Sequence, residues 1–145
     1  MRAHALLLVL ATATSLPVAA QTSADSAAVR ATALDYVDGW YEGNGDRMQR
    51  AVHPDLAKRI VDSRANGSAL SHMTAATLVD YTRRGGGKNT PADQQVRNVR
   101  ILDMFRNVAM VRAEMAGWID FMQIAKFNDR WVIVNVLWEM KAPTP

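Results

Sequence analysis

Residues 128–139 read Asn128-Asp129-Arg130-Trp131-Val132-Ile133-Val134-Asn135-Val136-Leu137-Trp138-Glu139. Asn128-Asp129 holds residue types that favour tight turns, and the run after it alternates as a strand does. With a period of two, Val132, Val134, Val136 and Trp138 share one face. Trp131, Ile133, Asn135, Leu137 and Glu139 share the other. Both faces are largely apolar, so both are expected to be at least partly covered.

Working upstream, the same alternation spans Val96 to Phe105, Val108 to Gly117 and Trp118 to Phe127, with the last strand running Arg130 to Lys141. The links at Arg106-Asn107 and Asn128-Asp129 are short. Strands joined this tightly form an antiparallel meander.

The first half reads as helix. Val29, Ala33, Tyr36, Val37 and Trp40 fall at three- and four-residue spacings, which predicts an amphipathic helix from Ser26 to Glu42. Asp25 is placed to cap it, and Gly43-Asn44-Gly45 ends it. A second helix begins near Asp46, turns Met48, Ala51 and Val52 inward, and breaks at His53-Pro54. A short strand is expected over Ala57–Asp62, then a turn at Arg64-Ala65-Asn66-Gly67-Ser68. Thr74 to Thr82 forms a third helix around Leu78 and Val79, stopped by Gly85-Gly86-Gly87.

The opening residues have the parts of a secretory signal: Arg2 and His4, the apolar run Ala5–Ala13, and small residues through Ala20. Cleavage after Ala20 is expected, giving a signal peptide at 1–20, one domain at 21–141 and a disordered tail at 142–145. The apolar run is shorter than the roughly 20 residues that cross a bilayer. A periplasmic or secreted location follows, with no stable membrane association after cleavage.

The chain has no cysteine, so the core must suffice without disulfides. Removing Arg2 leaves 16 basic against 14 acidic side chains, a net charge of +2 (17 − 1 − 14). These charges are interspersed, without the basic stripe of a nucleic-acid binder. The histidines show no metal-ligand spacing, so neither a metal nor another cofactor is expected. Arg84-Gly85-Gly86-Gly87-Lys88-Asn89 departs from a phosphate cradle, since Asn follows the Lys and the glycines follow the helix.

This order of elements resembles the nuclear transport factor 2-like superfamily. Ala33-Leu34-Asp35-Tyr36-Val37-Asp38-Gly39-Trp40-Tyr41-Glu42-Gly43 is similar to its opening helix, and Met48-Gln49-Arg50-Ala51-Val52-His53-Pro54-Asp55-Leu56 to its second helix and turn. Residues 128–139 are similar to its terminal strand. Met73-Thr74-Ala75-Ala76, Gly85-Gly86-Gly87-Lys88 and Leu137-Trp138-Glu139 resemble the group labelled putative lumazine-binding proteins. The resemblance implies an α+β, cystatin-like cone in which N-terminal helices pack on a curved antiparallel sheet and enclose a pocket. It also implies sheet-to-sheet homodimers, for which the Trp- and Met-rich strands are suited.

In such a cone the ligand-binding candidates are Tyr36, Trp40, Trp118, Asp120, Asn135 and Glu139. Tyr36, His53 and Asp120 are the catalytic candidates: Tyr36 and Asp120 by analogy of role with ketosteroid isomerases, which pair a carboxylate base with a tyrosine, and His53 because histidine titrates near neutrality. The sequence contains no complete catalytic motif. The expected function is therefore an exported, non-enzymatic pocket domain that binds a small apolar molecule or a protein partner. The alternative is an isomerase, dehydratase or cyclase acting on a polyketide- or steroid-like molecule.

Overall fold

The computed structural model describes residues 23–62 and 69–142. The signal segment, the turn at Arg64–Ser68 and the last residues of the expected tail lie outside the described residues. Helices α1 (Ser23–Glu42), α2 (Gly45–Ala51) and α3 (Ala75–Arg83) pack on a six-stranded sheet. Its strands are β1 (Val52–Asp62), β2 (Ala69–Thr74), β3 (Asn98–Phe105), β4 (Val108–Glu114), β5 (Trp118–Phe127) and β6 (Arg130–Met140), ordered β2-β1-β6-β5-β4-β3. No helix among the described residues is long and apolar enough to cross a membrane.

The meander from β3 to β6 is present, with every neighbouring pair antiparallel. The upstream strand differs from expectation. It begins at Val52 and joins β6 in parallel, so the sheet is mixed. Pro54 falls where the β1–β6 register shifts between Val52 and Ala57, a place where its missing N–H costs no regular ladder bond. Strand β2 is an edge whose side chains are almost all exposed, and nothing apolar in it alternates.

Helix α1 buries Val29, Ala33, Tyr36 and Val37 as its spacing requires. Gly43, at φ 64°, releases the chain, and the Asn44 side chain accepts from the Arg47 amide to start α2. Asp25 lies inside the first turn of α1 rather than at its cap. It accepts instead from Lys126 Nζ and Trp131 Nε1, each at 3.1 Å, and so ties α1 to β5 and β6. Thr74 caps α3 by accepting from the Thr77 amide.

A β-bulge in β6 decides which side chains face the helices. Gln123 pairs with Asn135 but Ile124 pairs with Ile133, which leaves Val134 as an extra residue. One extra residue reverses the alternation. Trp131 and Ile133 point into the core before the bulge, and Val136 and Trp138 point inward after it. Each of the two sets read along β6 therefore supplies part of one inner face. The outer face leaves Phe121 at 47% and Leu137 at 48% exposure in the single chain.

Candidate ligand-binding site

Strand β1 places Leu56 and Lys58 on the inward phase, and both are buried. An ammonium in that position must find partners or lose its charge. Lys58 Nζ donates to Asp120 Oδ1 of β5 at 2.6 Å and to the Tyr36 hydroxyl of α1 at 2.7 Å. Trp118 Nε1 donates to the other Asp120 oxygen at 2.9 Å. Asp120 is wholly inaccessible to solvent and Lys58 is 5% exposed. Among the described residues no buried side-chain nitrogen or oxygen lacks a partner.

Burial lowers the Lys58 pKa below its ordinary value, and the Asp120 carboxylate opposes that fall. Burial first, and then the neighbouring Asp120 charge, hold the Tyr36 phenol well above its ordinary value of 10.0. Tyr36 is thus a neutral hydroxyl at any physiological pH.

This network forms the floor of a cavity of about 230 Å³ between α1, α3 and the sheet. Lys58, Tyr36 and Trp118 reach its wall, and Asp120 stays behind them. The rest of the wall is Trp40, Met73, Leu78, Tyr81, Trp138 and Met140. Trp118 stands edge-on to Trp40 at 5.7 Å and to Trp138 at 5.8 Å. Lys58 Nζ lies 4.6 Å from the centre of the Trp138 ring, within cation–π range.

The glycines after α3 hold one wall of this cavity. A Cβ on Gly87 would lie 2.4 Å from Trp40 Cδ1, and one on Gly86 would lie 2.6 Å from Trp40 Cη2. Gly86 and Gly87 lie flat against the indole because they have no side chain. The glycines expected only to stop the third helix are also a backing plate for Trp40.

The structure brings Tyr36, Trp40, Trp118 and Asp120 together and sends the other candidates elsewhere. Asn135 lies on the outer face and donates to Gln123 Oε1 at 2.8 Å. Glu139 faces outward too, opposite Ile119. The bulge at Val134 is the reason in both cases. His53 sits at the start of β1, five residues before Lys58 and roughly 15 Å along the strand. Its Nδ1 accepts from the Asp55 amide, and its ring packs 5.0 Å from Phe127. The expected set Tyr36, His53 and Asp120 is therefore not assembled.

Sequence reasoning missed Lys58, together with the walls supplied by Met73, Leu78, Tyr81, Trp138 and Met140. A signal for Lys58 was available. Leu56, Lys58 and Ile60 alternate, and a lysine on an apolar phase needs a buried counter-ion.

Among the described residues, larger depressions include one of about 310 Å³ along β3–β5 and one of about 460 Å³ beside α2 and α3. Neither is lined by a buried polar side chain.

The sequence profile of the family described as "Putative lumazine-binding" matches residues 24–139. The chain belongs to that family. No curated protein matches this member of it. Among solved structures, a nuclear transport factor 2-like protein of unknown function from Shewanella baltica is 17% identical, over 84% of this chain and 98% of that chain, with a TM-score of 0.62. A cystatin-like domain of unknown function from Nostoc punctiforme is 14% identical, over 84% of this chain and 80% of that chain, with a TM-score of 0.55. A ketosteroid isomerase-like protein from Erwinia carotovora is 9% identical, over 84% of this chain and all of that chain, with a TM-score of 0.58. At these identities the likeness shows the fold alone: the putative lumazine-binding domain is a nuclear transport factor 2-like, cystatin-like cone.

Proposed function

We propose that this domain binds a small, largely apolar molecule in the cavity above Lys58 and Tyr36. The observation that carries the reading is an apolar, aromatic chamber with a few buried polar groups converging at its floor, the usual make-up of a ligand site. An engineered apolar cavity of about 150 Å³ holds benzene. The chamber here is about half as large again, so its occupant is about one ring with a short substituent. A thermal-shift screen of such compounds should find stabilisers whose effect disappears in Met73→Trp, which fills the chamber. A screen that finds none would count against the reading.

A non-enzymatic role is favoured because both Asp120 oxygens are already engaged and His53 lies elsewhere. The isomerase-type alternative keeps one point in support, the meeting of Tyr36 and Asp120 through Lys58. A steroid-like substrate is too large for the chamber as it stands. The signal-like N-terminus supports export; N-terminal sequencing of the periplasmic or secreted protein should begin at Gln21. The exposed Phe121, Leu137 and Met110 on the outer face support a sheet-to-sheet homodimer or another protein partner. Sedimentation should then show a dimer that Phe121→Lys dissociates.

A further inference from the structure

The Lys58–Asp120 pair is buried asymmetrically. Asp120 is wholly covered, and its oxygens are held by Lys58 and Trp118. Lys58 forms part of the cavity wall. An occupant therefore meets the positive end of the pair and not the negative end.

An ammonium has three N–H donors. Two of them serve Asp120 Oδ1 and the Tyr36 hydroxyl. The third has no nitrogen or oxygen acceptor among the described residues and finds only aromatic rings, Trp138 at 4.6 Å and Tyr36 at 5.4 Å from their centres. Tyr36 cannot serve an occupant as an anion, because its phenol stays protonated. The charged group on the polar floor is thus a donor with one N–H not bonded to nitrogen or oxygen. The remaining wall is the Leu78 side chain, two methionine thioethers, the Tyr81 ring and indole.

A purely apolar occupant would cover that donor and leave it without an oxygen partner, a loss for any buried donor. A cationic occupant would face the ammonium directly. An oxygen acceptor would complete the ammonium's third hydrogen bond, and a bond to a charged donor is stronger than a neutral one. Sites built to hydrogen-bond a ligand reject analogues that lack the matching group far more sharply than apolar pockets reject a change of size.

We propose that the cavity selects a molecule of about one ring that carries a single oxygen acceptor, a carbonyl or a carboxylate, bonded to Lys58 Nζ. This rests on the reading of the cavity as a ligand site and names the chemistry of what enters it.

The test is a set of titrations followed by ligand-observed NMR on the wild-type protein, using acetophenone, benzoate and ethylbenzene. Acetophenone and ethylbenzene have nearly the same shape and differ at the oxygen. The expected result is that acetophenone, benzoate or both bind at least about tenfold more tightly than ethylbenzene, which corresponds to about 1.4 kcal/mol. Preference for acetophenone alone would assign a neutral carbonyl, and preference for benzoate alone a carboxylate.

In Lys58→Met/Asp120→Leu, which removes the pair without stranding either charge, the preference should fall to within about twofold while ethylbenzene still binds. Equal affinities for all three compounds in the wild type would overturn the proposal and leave the ligand site standing. A preference that survives in the double variant would overturn it as well. If none of the three binds, the ligand-site reading itself falls. The wild-type comparison decides the matter even if the variant does not fold.

Discussion

Helix α1 touches two ion-pair clusters, one toward solvent and one toward the core, and they differ in almost everything except charge. On the solvent side Arg47 reaches Asp35, Asp38 and Glu42 at 2.9, 2.9 and 2.7 Å, with its side chain still 24% exposed. On the inner side Tyr36 meets the single pair Lys58–Asp120, whose side chains are 6% and 0% exposed. The outer cluster has more contacts, but water and salt compete for each of them. The inner cluster has fewer, and Asp120, at 0% exposure, is out of contact with solvent. Burial therefore decides which cluster the fold depends on, and the number of contacts does not.

The largest effect that would sharpen this contrast is expected from Lys58→Met. It strands the Asp120 charge in the core and should cost about 3–5 kcal/mol in urea unfolding. Adding Asp120→Leu should restore most of the loss, because replacing a buried pair by apolar residues is often neutral or stabilising. A loss below about 1 kcal/mol for the single variant would mean that water reaches the pair.

Gly87→Ala comes next. Its new methyl collides with both the Trp40 ring and the Trp40 carbonyl oxygen, and overpacking of this kind costs about 1–3 kcal/mol. Trp40 must shift, so the variant's tryptophan emission should change along with its urea midpoint. An unchanged spectrum would show that the glycine turn gives way in place of the indole.

Tyr36→Phe removes the oxygen that accepts from Lys58 and should cost about 1–2 kcal/mol near neutral pH. Its pH profile is more telling. The folded phenol has a raised pKa, so above pH 10 the unfolded chain loses a proton that the folded chain keeps. The Tyr36 contribution to stability is therefore complete below that pH and is lost as pH climbs above it. Lys58 acts in the opposite sense: its folded pKa is lowered, the unfolded chain holds more protons just below 10.5, and its contribution rises with pH there. Urea midpoints from pH 8 to 11 should fall more steeply for the wild type than for Tyr36→Phe at the alkaline end. Parallel profiles would show that the phenol ionises in the folded state.

The smallest effect belongs to the solvent side. Arg47→Gln should cost no more than about 1 kcal/mol, and most of that should vanish in 1 M salt, where the screening length is about 3 Å. The Lys58→Met cost should be insensitive to salt. A salt-insensitive Arg47 would erase the distinction between the clusters.

What the sequence revealed follows the range of each interaction. The α1 stripe and the β3–β6 meander are local patterns, set by spacing and short turns, and they agree with the structure to within a few residues. Strand β2 has no pattern to read, because an edge strand with exposed side chains needs none. The parallel β1–β6 pairing depends on two segments far apart in the chain and leaves no mark in either. Within the site, Tyr36, Trp40, Trp118 and Asp120 followed from phase together with the cavity that the family resemblance implies. Lys58 lay inside the expected strand Ala57–Asp62, but its counter-ion Asp120 is 62 residues away and leaves no mark beside it. Asn135 and Glu139 were misplaced because a single extra residue, Val134, inverts every later side chain in β6.

The β1–β6 pairing also sets an order of events. Strands β3 to β5 can zip as hairpins as soon as they meet, but β1 has β2 on one side only until β6 arrives on the other. Long loops must close before such a contact forms, and that makes it slow. Until then Lys58 has no wall of Trp138 to sit under, and Asp120 lies in an unfinished sheet. The chamber is thus among the last parts of the molecule to exist, and a chain interrupted before Arg130 would carry most of its binding residues without a place to bind.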